Sequence, residues 1–380
     1  MMNKNNKIEI LDSTLREGEQ TPNVSFSKSE KIKIAIMLDK FGVDFIELGH
    51  PAVSKNIYDS IASLNGLKLN AKKIVHGRAL KSDIDDAINL SVEWIGIFFG
   101  TSQELLKDKY NVNESGALKI IERGIKYAKD KGLKVRFTAE DASRTKKPFL
   151  FKIAELVQKS GIDRFSLADT VGILRPDKTS ELVKSMVSFL DIPVHIHCHN
   201  DFGLATANAI EAVCSGAKCI DVTINGLGER CGLPPLAEVT TGLQELYGIK
   251  NNWNLKLLKN LSDYLDQITS LKTHEIRPIT GQNAFTHKAG LHISAVVKNS
   301  KSYESISPKK LNRCHSMIID QFVSKEAIIF RLNKLGINYT QKLIEYLINH
   351  IKTRPEITNW NDQKIISVIK EKENFLKIHE

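Results

Sequence analysis

Three histidines alternate within one short stretch of the chain. They are His195, His197 and His199, and single non-polar residues separate them. In a β-strand, successive side chains point to opposite faces, so the three imidazoles would share one face. Two imidazoles two residues apart on one strand face can both reach a single divalent ion. A lone histidine is usually an ordinary polar residue of a half-buried strand, but three on one face, followed directly by Asn-Asp, favour a metal site.

A carboxylate near the N-terminus could complete this site. Glu17 follows the first predicted strand, and side chains at the rim of a closed barrel converge towards its axis. Two imidazoles and one carboxylate would leave coordination positions open for a substrate. The sequence therefore predicts a divalent metal ion (Zn, Mn, Co or Mg, between which it does not choose) held by Glu17, His197 and His199.

Two arginines suggest what such an ion would act on. Arg16 precedes Glu17, and Arg136 lies near the end of another predicted strand. Their guanidinium groups bring fixed charge and paired donors that match a carboxylate. A metal with open positions beside carboxylate binders suggests a 2-oxo acid chelated through its keto oxygen and carboxylate. The predicted reaction is attack on that polarised carbonyl by a carbon nucleophile, or the reverse cleavage.

Predicted strands and helices, which must position these residues, alternate regularly along the chain. Helical periodicity fills the segments between eight short apolar runs, as in 29–41, where Ser27 and Glu30 could form a capping box and Gly42 ends the helix. This alternation predicts a (β/α)₈ TIM barrel, with an open doubly wound sheet as the alternative. The predicted strands are 8–11, 45–48, 73–75, 94–99, 135–138, 165–168, 194–199 and 219–224.

The residues that follow these strands support an enzyme. Loops are generally polar, but here the types are mostly histidine, arginine and carboxylate rather than serine, glycine and lysine. In (β/α)₈ barrels the chemistry lies at the carboxyl ends of the strands. The residues in question are Arg16, Glu17, His50, His76, Arg136, Thr138, Glu140, Asp169, Thr170, His197 and His199.

The pattern changes after about residue 250. The segments 255–270, 325–335, 341–351 and 362–371 read as amphipathic helices, and 281–292 is dense in histidine and glycine. This part of the chain is too long to be only a barrel cap. We therefore predict a catalytic barrel over 1–270 and a smaller helical C-terminal region over 271–380.

Composition excludes several classes of function. The chain has 380 residues, 42% hydrophobic content and a net charge of +10 that is spread over the whole chain. A nucleic-acid binder would gather that charge into a stripe, so we predict no nucleic-acid partner. We also expect no membrane association, because no apolar run is long enough to span a bilayer. Segment 1–7 lacks the apolar core of a secretion signal, and five scattered cysteines fit a reducing cytoplasm.

Three motifs resemble one enzyme family. Residues 11–20 (LDSTLREGEQ), 197–201 (HCHND) and 228–230 (GER) are similar to those of the Claisen-condensing metal-dependent barrels: homocitrate, 2-isopropylmalate and citramalate synthases. The resemblance extends over nearly the whole chain. It implies an acyltransferase that condenses acetyl-CoA, as co-substrate, with a 2-oxo acid and then hydrolyses the thioester.

The resemblance also implies roles for individual residues. Arg16 matches the arginine that stabilises the polarised keto oxygen, and His292 and Tyr303 match a catalytic base and tyrosine. In the family, this histidine and tyrosine come from the partner subunit of an intertwined homodimer, so 271–380 would be a lid and dimerisation region. Glu17, His197 and His199 match the metal ligands. The residues that match those holding the 2-oxo acid are Arg16, Gln20, Arg136, Thr138 and Thr170.

Similarity to the subtypes is mixed. His76 matches a histidine that homocitrate synthases use for the distal carboxylate of 2-oxoglutarate, which favours homocitrate formation for lysine biosynthesis by the aminoadipate route. Residues 139–145 and 200–204 instead resemble 2-isopropylmalate or citramalate synthases, which act on 2-oxoisovalerate or pyruvate. His195 and Thr138 replace the glutamate and serine usual in homocitrate synthases. Aldol-type cleavage without CoA and a silent carboxylate-binding regulator are further hypotheses.

Overall fold

Strands and helices alternate through the first two thirds of the chain. The computed structural model describes the backbone of residues 7–379 and the side chains of 7–373; segment 1–6, part of the stretch in which no secretion signal is predicted, lies outside the described residues. The first eight strands are β1 (Glu9–Asp12), β2 (Phe45–Glu47), β3 (Lys72–Arg78), β4 (Trp94–Gly100), β5 (Lys134–Glu140), β6 (Arg164–Asp169), β7 (Val194–Cys198) and β8 (Cys219–Val222).

These eight strands close into a barrel. All neighbours pair in parallel in chain order, and β8 returns to β1 through a register that starts at Glu9 and Cys219. Each predicted strand overlaps an observed one, so the predicted (β/α)₈ barrel is confirmed. The alternative of an open sheet is wrong, because the first and last strands pair along four residues.

Helices cover the outside of the barrel. The first, α1, ends where Gly42 adopts a left-handed conformation with φ 101°, and the predicted capping box of Ser27 and Glu30 is present. The helical periodicity predicts an apolar stripe of Ile32, Ile34, Ala35, Leu38 and Phe41, and all of these are buried except Ile32, which is half-buried. The helices are α1 (Lys28–Phe41), α2 (Lys55–Asn65), α3 (Lys81–Asn89), α4 (Gln103–Asp108), α5 (Glu114–Asp130), α6 (Lys147–Lys159), α7 (Pro176–Phe189), α8 (Ala205–Cys214), α9 (Leu236–Glu245) and α10 (Leu258–Ile268).

The chain divides into two compact units, Met1–Thr273 and His274–Glu380. The second unit contains three of the four helices predicted after residue 250, over 325–335, 341–351 and 362–371, whereas the one predicted over 255–270 is α10 of the first unit. It also contains a helix over 290–298 that the sequence does not predict, and its own core includes Ile293, Ile328 and Leu347. It also contains a parallel pair of two-residue strands that the sequence does not predict. Its elements are β9 (Thr286–His287), α11 (Gly290–Lys298), β10 (Ser316–Met317), α12 (Lys325–Lys334), α13 (Gln341–Lys352) and α14 (Asp362–His379). No helix among the described residues is long and apolar enough to cross a membrane.

Candidate active site

The three predicted metal ligands lie together at the carboxyl ends of the barrel strands. Glu17, His197 and His199 each offer a ligand atom, and these atoms lie within 4.8 Å of one another. Glu17 reaches this position because the chain turns tightly after β1, where the backbone N–H of Gly18 donates to the carbonyl of Ser13. All three side chains are buried. The structure therefore brings together a carboxylate and two imidazoles from strands that are not neighbours.

Hydrogen bonds orient two of these ligands. His197 Nδ1 lies 3.0 Å from Asp221 Oδ2, which leaves Nε2 as the ring nitrogen for an ion. A carboxylate behind a metal-bound imidazole typically fixes its tautomer and its orientation. The backbone N–H of Glu229 donates to Glu17 Oε1 at 3.2 Å, from the loop that carries the GER motif.

The charge states also suit a divalent cation. Burial raises the pKa of Glu17, but Arg16 and the two imidazoles outweigh burial and lower that pKa to about 2, so the carboxylate is ionised. Burial and the neighbouring His197 lower the pKa of His199 to about 3, which keeps this imidazole neutral. His199 Nδ1 is buried and has no hydrogen-bond partner among the described residues. An ionised carboxylate and neutral imidazoles are the forms that bind metal ions, so these residues fit one.

Glu47 connects the basic residues of the site. This carboxylate is fully buried at the end of β2, and Arg16 Nε donates to its Oε2 at 2.7 Å. Its Oε1 lies 3.2 Å from His76 Nδ1 and 4.0 Å from an Arg136 nitrogen. Burial raises the pKa of Glu47, but Arg16, His76 and Arg136 hold it well below its usual value. One anion therefore positions three predicted substrate-binding residues.

Asp221 has the same function on the other side of Arg136. It lies in β8, is fully buried, and accepts hydrogen bonds from Arg136 and His197. Neither Glu47 nor Asp221 is among the predicted site residues. Their signal in the sequence is an acidic residue inside an apolar strand, in Phe45-Ile46-Glu47 and in Ile220-Asp221-Val222. An ionised side chain is rarely buried without a partner, so each position indicates a buried cation nearby.

A cavity of about 260 Å³ opens at this end of the barrel. Burial and the nearby charge of Arg16 lower the pKa of His76 to about 4, so this ring is neutral near pH 7. The nine barrel residues to which the family resemblance assigns a role all line the cavity: Arg16, Glu17, Gln20, His76, Arg136, Thr138, Thr170, His197 and His199. It is also lined by His50 and Glu140, which follow predicted strands, and by Phe98, Glu229 and Arg230. Asp169, the other predicted strand-end residue, is not among its lining residues.

The two remaining predicted residues belong to the second unit. The rings of His292 and Tyr303 lie side by side, with centroids 4.3 Å apart. Both side chains are exposed. Their roles as base and catalytic tyrosine stay a prediction.

A second set of metal-ligand types lies deeper in the barrel. His195, Cys219 and Asp221 also place their ligand atoms within 4.8 Å of one another. Here, however, Arg164 donates to His195 Nε2 at 3.0 Å, and Asp221 accepts hydrogen bonds from Arg136 and His197. Burial also raises the pKa of the Cys219 thiol well above its usual value, which keeps the thiol protonated. Because a metal ion needs a deprotonated thiol and a free imidazole nitrogen, we assign this set to the packing of the barrel.

The fold and the cavity together define a barrel enzyme with a site for a divalent metal. Comparisons with known proteins agree with that class. Residues 7–265 match the HMGL-like family model, and residues 279–359 match the model described as homocitrate synthase post-HMGL domain-like. Among solved structures, the HMG-CoA lyase of Bacillus subtilis superposes with a TM-score of 0.64 at 19% identity, covering 70% of this chain and 95% of that one. At this identity the likeness concerns the fold alone.

Curated relatives make the family more specific. Homocitrate synthase of Pyrococcus horikoshii is 46% identical over 352 residues, which cover 93% of this chain and 97% of the relative. Homocitrate synthase of Sulfolobus acidocaldarius is 40% identical over 367 residues, covering 95% of this chain and 78% of the relative. The chain therefore belongs to the homocitrate synthase group of the HMGL-like family, a metal-dependent family of condensing enzymes. The resemblance predicted from the sequence motifs is confirmed.

Proposed function

We propose that this protein condenses acetyl-CoA with 2-oxoglutarate to form homocitrate and CoA. The observation that carries this proposal is the single cavity in which all the predicted acceptor-binding residues and metal ligands meet. The guanidinium groups of Arg16 and Arg136 and the imidazole of His76 are among its lining groups, which suits an acceptor with two carboxylates. The name shared by the curated relatives supports the same acceptor.

The cavity residues would bind and orient the acceptor. Glu17, His197 and His199 would hold a divalent ion, which when bound supplies Lewis acidity to the keto group. Arg136, Thr138 and Thr170 would hold the carboxylate next to that keto group, with Gln20 beside them. His76 would bind the distal carboxylate. Glu47 and Asp221 keep Arg16 and Arg136 in place before the substrate arrives, and such preorganisation favours catalysis.

The reaction then needs a base and a donor for the developing alkoxide. His292 would take a proton from the acetyl methyl group, as an imidazole can near neutral pH, with Tyr303 beside it. The resulting carbon nucleophile forms a bond to the keto carbon, and the keto oxygen gains negative charge. Arg16, fixed by Glu47 and Glu17, would stabilise that charge. Water then cleaves the thioester and releases CoA.

A panel of 2-oxo acids tests the acceptor. Steady-state kinetics scored by CoA release should give a kcat/KM for 2-oxoglutarate at least about 10³-fold above those for pyruvate and 2-oxoisovalerate, because a site built for a polar group rejects ligands that lack it. Acetyl-CoA without acceptor gives the background rate. Faster turnover of pyruvate or 2-oxoisovalerate would show that the proposed acceptor is wrong.

We further propose that 271–380 form a lid and dimerisation region, and that His292 and Tyr303 act on the barrel of the partner subunit. The test mixes inactive His292→Ala and Arg16→Ala subunits after unfolding and refolding them together. Action across the dimer predicts roughly a quarter of the wild-type activity, since half of the dimers would be mixed and each would hold one intact site. Action within one subunit predicts no recovery.

A further inference from the structure

One of the imidazoles that line the cavity has no part in the steps above. His50 follows β2 and lines the same cavity as His76. Their ring centroids lie 5.9 Å apart, in an edge-to-face arrangement. Phe98 stacks on His76 at 4.4 Å and meets His50 edge-on at 6.2 Å. Two imidazoles and one phenyl ring therefore form one part of the cavity wall.

The backbone fixes where His50 lies. Gly49, directly before it, has φ 137°, and a Cβ there would lie 3.2 Å from Ile61 Cδ1. Pro51, directly after it, disfavours a helical conformation for His50, which is extended with φ −116° and ψ 103°. Gly49 and Pro51 thus hold His50 in an extended conformation at the mouth of the barrel, between the end of β2 and a short 3₁₀ helix over Pro51–Val53.

A buried carboxylate fixes the ring. His50 Nε2 lies 2.9 Å from Asp83 Oδ2, and Asp83 is only 2% exposed. Arg78 holds Asp83 in turn, through its backbone N–H at 2.9 Å and its side-chain Nη2 at 2.8 Å. Burial raises the pKa of Asp83, but the hydrogen bonds from His50 and Arg78 lower it well below its usual range, so Asp83 is ionised. The contact with this anchored carboxylate fixes the orientation of the His50 ring.

The exposure of His50 distinguishes a binding residue from a packed one. Its side chain keeps 17% of its surface accessible, while its partner Asp83 keeps 1%. His76 has the same arrangement: it is 15% accessible and lies 3.2 Å from the fully buried Glu47. Each imidazole is therefore backed by its own buried carboxylate and keeps part of its ring open to the cavity.

We propose that His50 is a second specificity-determining residue that binds, together with His76, the distal carboxylate of the acceptor, and that Asp83 is its positioning residue. This inference rests on the proposed function, since only a dicarboxylate acceptor has a distal anion to bind. An acceptor with an apolar end would place a group that cannot accept a hydrogen bond against both imidazoles, and such a mismatch is what gives a polar site its selectivity.

Two ligands of the same length test the proposal: 2-oxoglutarate and 2-oxopentanoate, in which a methyl group replaces the distal carboxylate. Binding to the metal-loaded full chain is measured by titration calorimetry, and KM and kcat are measured separately. His50→Leu should weaken 2-oxoglutarate binding and raise its KM about 10–100-fold, as expected for a lost hydrogen bond to a charged group. Binding of 2-oxopentanoate should change less than about threefold.

Three further variants sharpen the result. His50→Gln keeps a donor of similar length and should recover part of the loss, and it serves also if the leucine variant folds poorly. Asp83→Asn should give a loss in the same direction but smaller, because His50 stays in place without its anionic partner. Lys55 is an exposed cation in the adjoining helix, so Lys55→Gln is the control for general electrostatic attraction. It should change the affinity for neither ligand.

Equal losses for both ligands in His50→Leu, or no loss for either, would overturn the role of His50. The preference of the wild-type protein for 2-oxoglutarate over 2-oxopentanoate distinguishes this outcome from a failure of the proposed function. If wild type binds 2-oxoglutarate no better than 2-oxopentanoate, the proposed acceptor is wrong and the role of His50 falls with it. If wild type strongly prefers 2-oxoglutarate and His50→Leu keeps that preference, only the role of His50 is wrong.

Discussion

Two clusters of charged side chains lie at different levels of the barrel. The mouth cluster, next to the cavity, consists of Arg16, Glu17, Glu47, Arg136, His197 and His199. The base cluster, near the amino ends of the strands, consists of Glu9, Lys72, Arg164 and His195, packed against the rings of Phe45 and Trp94. Arginine, glutamate and histidine occur in both clusters, so these residue types alone do not distinguish them. Their internal contacts do.

The base cluster is closed on itself. Arg164 donates to Glu9 at 2.5 Å and to His195 at 3.0 Å, and its guanidinium lies 4.8 Å above the ring of Phe45. Lys72 adds a second cation near Glu9, at 3.6 Å. In the mouth cluster, by contrast, ligand atoms of Glu17, His197 and His199 converge on one point next to a cavity. The difference indicates that chemistry belongs to the mouth and stability to the base, as is general for this fold.

The largest loss of activity should follow the removal of one carboxylate charge from the mouth cluster. Glu17→Gln keeps the shape of the side chain but removes the charge that binds the ion. Because Lewis acidity supplies several kcal/mol to such a reaction, we expect kcat to fall at least about 10³-fold. Metal content, measured by elemental analysis after gel filtration, should fall with it, while the thermal unfolding midpoint changes little.

The matched control is Glu93→Gln, at an exposed carboxylate before β4. It should keep both metal content and activity. Full activity of metal-stripped wild type, or full metal content in Glu17→Gln, would contradict the assignment of the mouth cluster.

A smaller effect, on metal affinity, should follow the substitution of Asp221, which lies between the two clusters. Asp221 Oδ2 bonds to His197 in the mouth cluster, and its Oδ1 lies 4.0 Å from His195 Nδ1 in the base cluster. Asp221→Asn should weaken metal affinity about 10–100-fold, the usual cost of removing the carboxylate behind a ligating histidine. Competition with a chromophoric chelator measures this affinity directly. Asp191→Asn, at an exposed aspartate, is the control, and unchanged affinity in Asp221→Asn would show that His197 does not need this partner.

A change in the base cluster should affect stability and spare catalysis. Arg164→Met leaves His195 without its donor and Glu9 with Lys72 alone. We expect the free energy of unfolding to fall by about 2 kcal/mol, since breaking a largely buried ion pair strands its partner. Urea unfolding measures the loss, and kcat should stay within about twofold. Lys126→Met, which breaks an exposed pair, should cost no more than about 0.5 kcal/mol. A large loss of kcat in Arg164→Met would show that the two clusters are not separate in function.

The sequence predicts the mouth cluster better than the base cluster. Arg16, Glu17 and His199 follow their strands, where the change from apolar to polar types is visible, and the structure brings them together as predicted. Glu47 is the last residue of β2 and Arg164 is the first residue of β6, so both belong to the strands themselves. Periodicity shows that such a strand is buried but does not show which charges meet across the barrel, because that depends on the register between strands.

The second unit shows a further limit of sequence patterns. Its helices α12, α13 and α14 are predicted because their apolar stripes repeat over several turns, whereas the nine-residue helix α11 is not predicted. The strands β9 and β10 have two residues each, which is too short for any alternation to appear. They pair because residues far apart in the chain, Thr286 and Ser316, are brought together by packing.

The smallest effect should come from a buried acid that lacks a cation. Asp12, at the end of β1, accepts from the backbone N–H of Thr14 at 2.8 Å, while its Oδ2 has no hydrogen-bond partner among the described residues. Burial raises its pKa to about 7, although the hydrogen bonds from Thr14 oppose the shift. The folded state thus binds this proton more tightly than the unfolded chain, whose pKa is near 3.8. Stability from this group is complete below about pH 4 and is lost as the pH rises to about 7.

Asp12→Asn should therefore make the free energy of unfolding less dependent on pH, because the amide stays neutral throughout. Between pH 5 and pH 8 we expect wild type to lose on the order of 1 kcal/mol more than the variant, from urea unfolding at each pH. Asp59→Asn, at an exposed aspartate, should follow the wild-type curve. Parallel curves for wild type and Asp12→Asn would mean that Asp12 is already ionised at pH 5. In that case the mouth of the barrel would tolerate an ionised carboxylate without a cationic partner. The mouth and the base cluster would then differ less in how they pair buried charges than their contacts indicate.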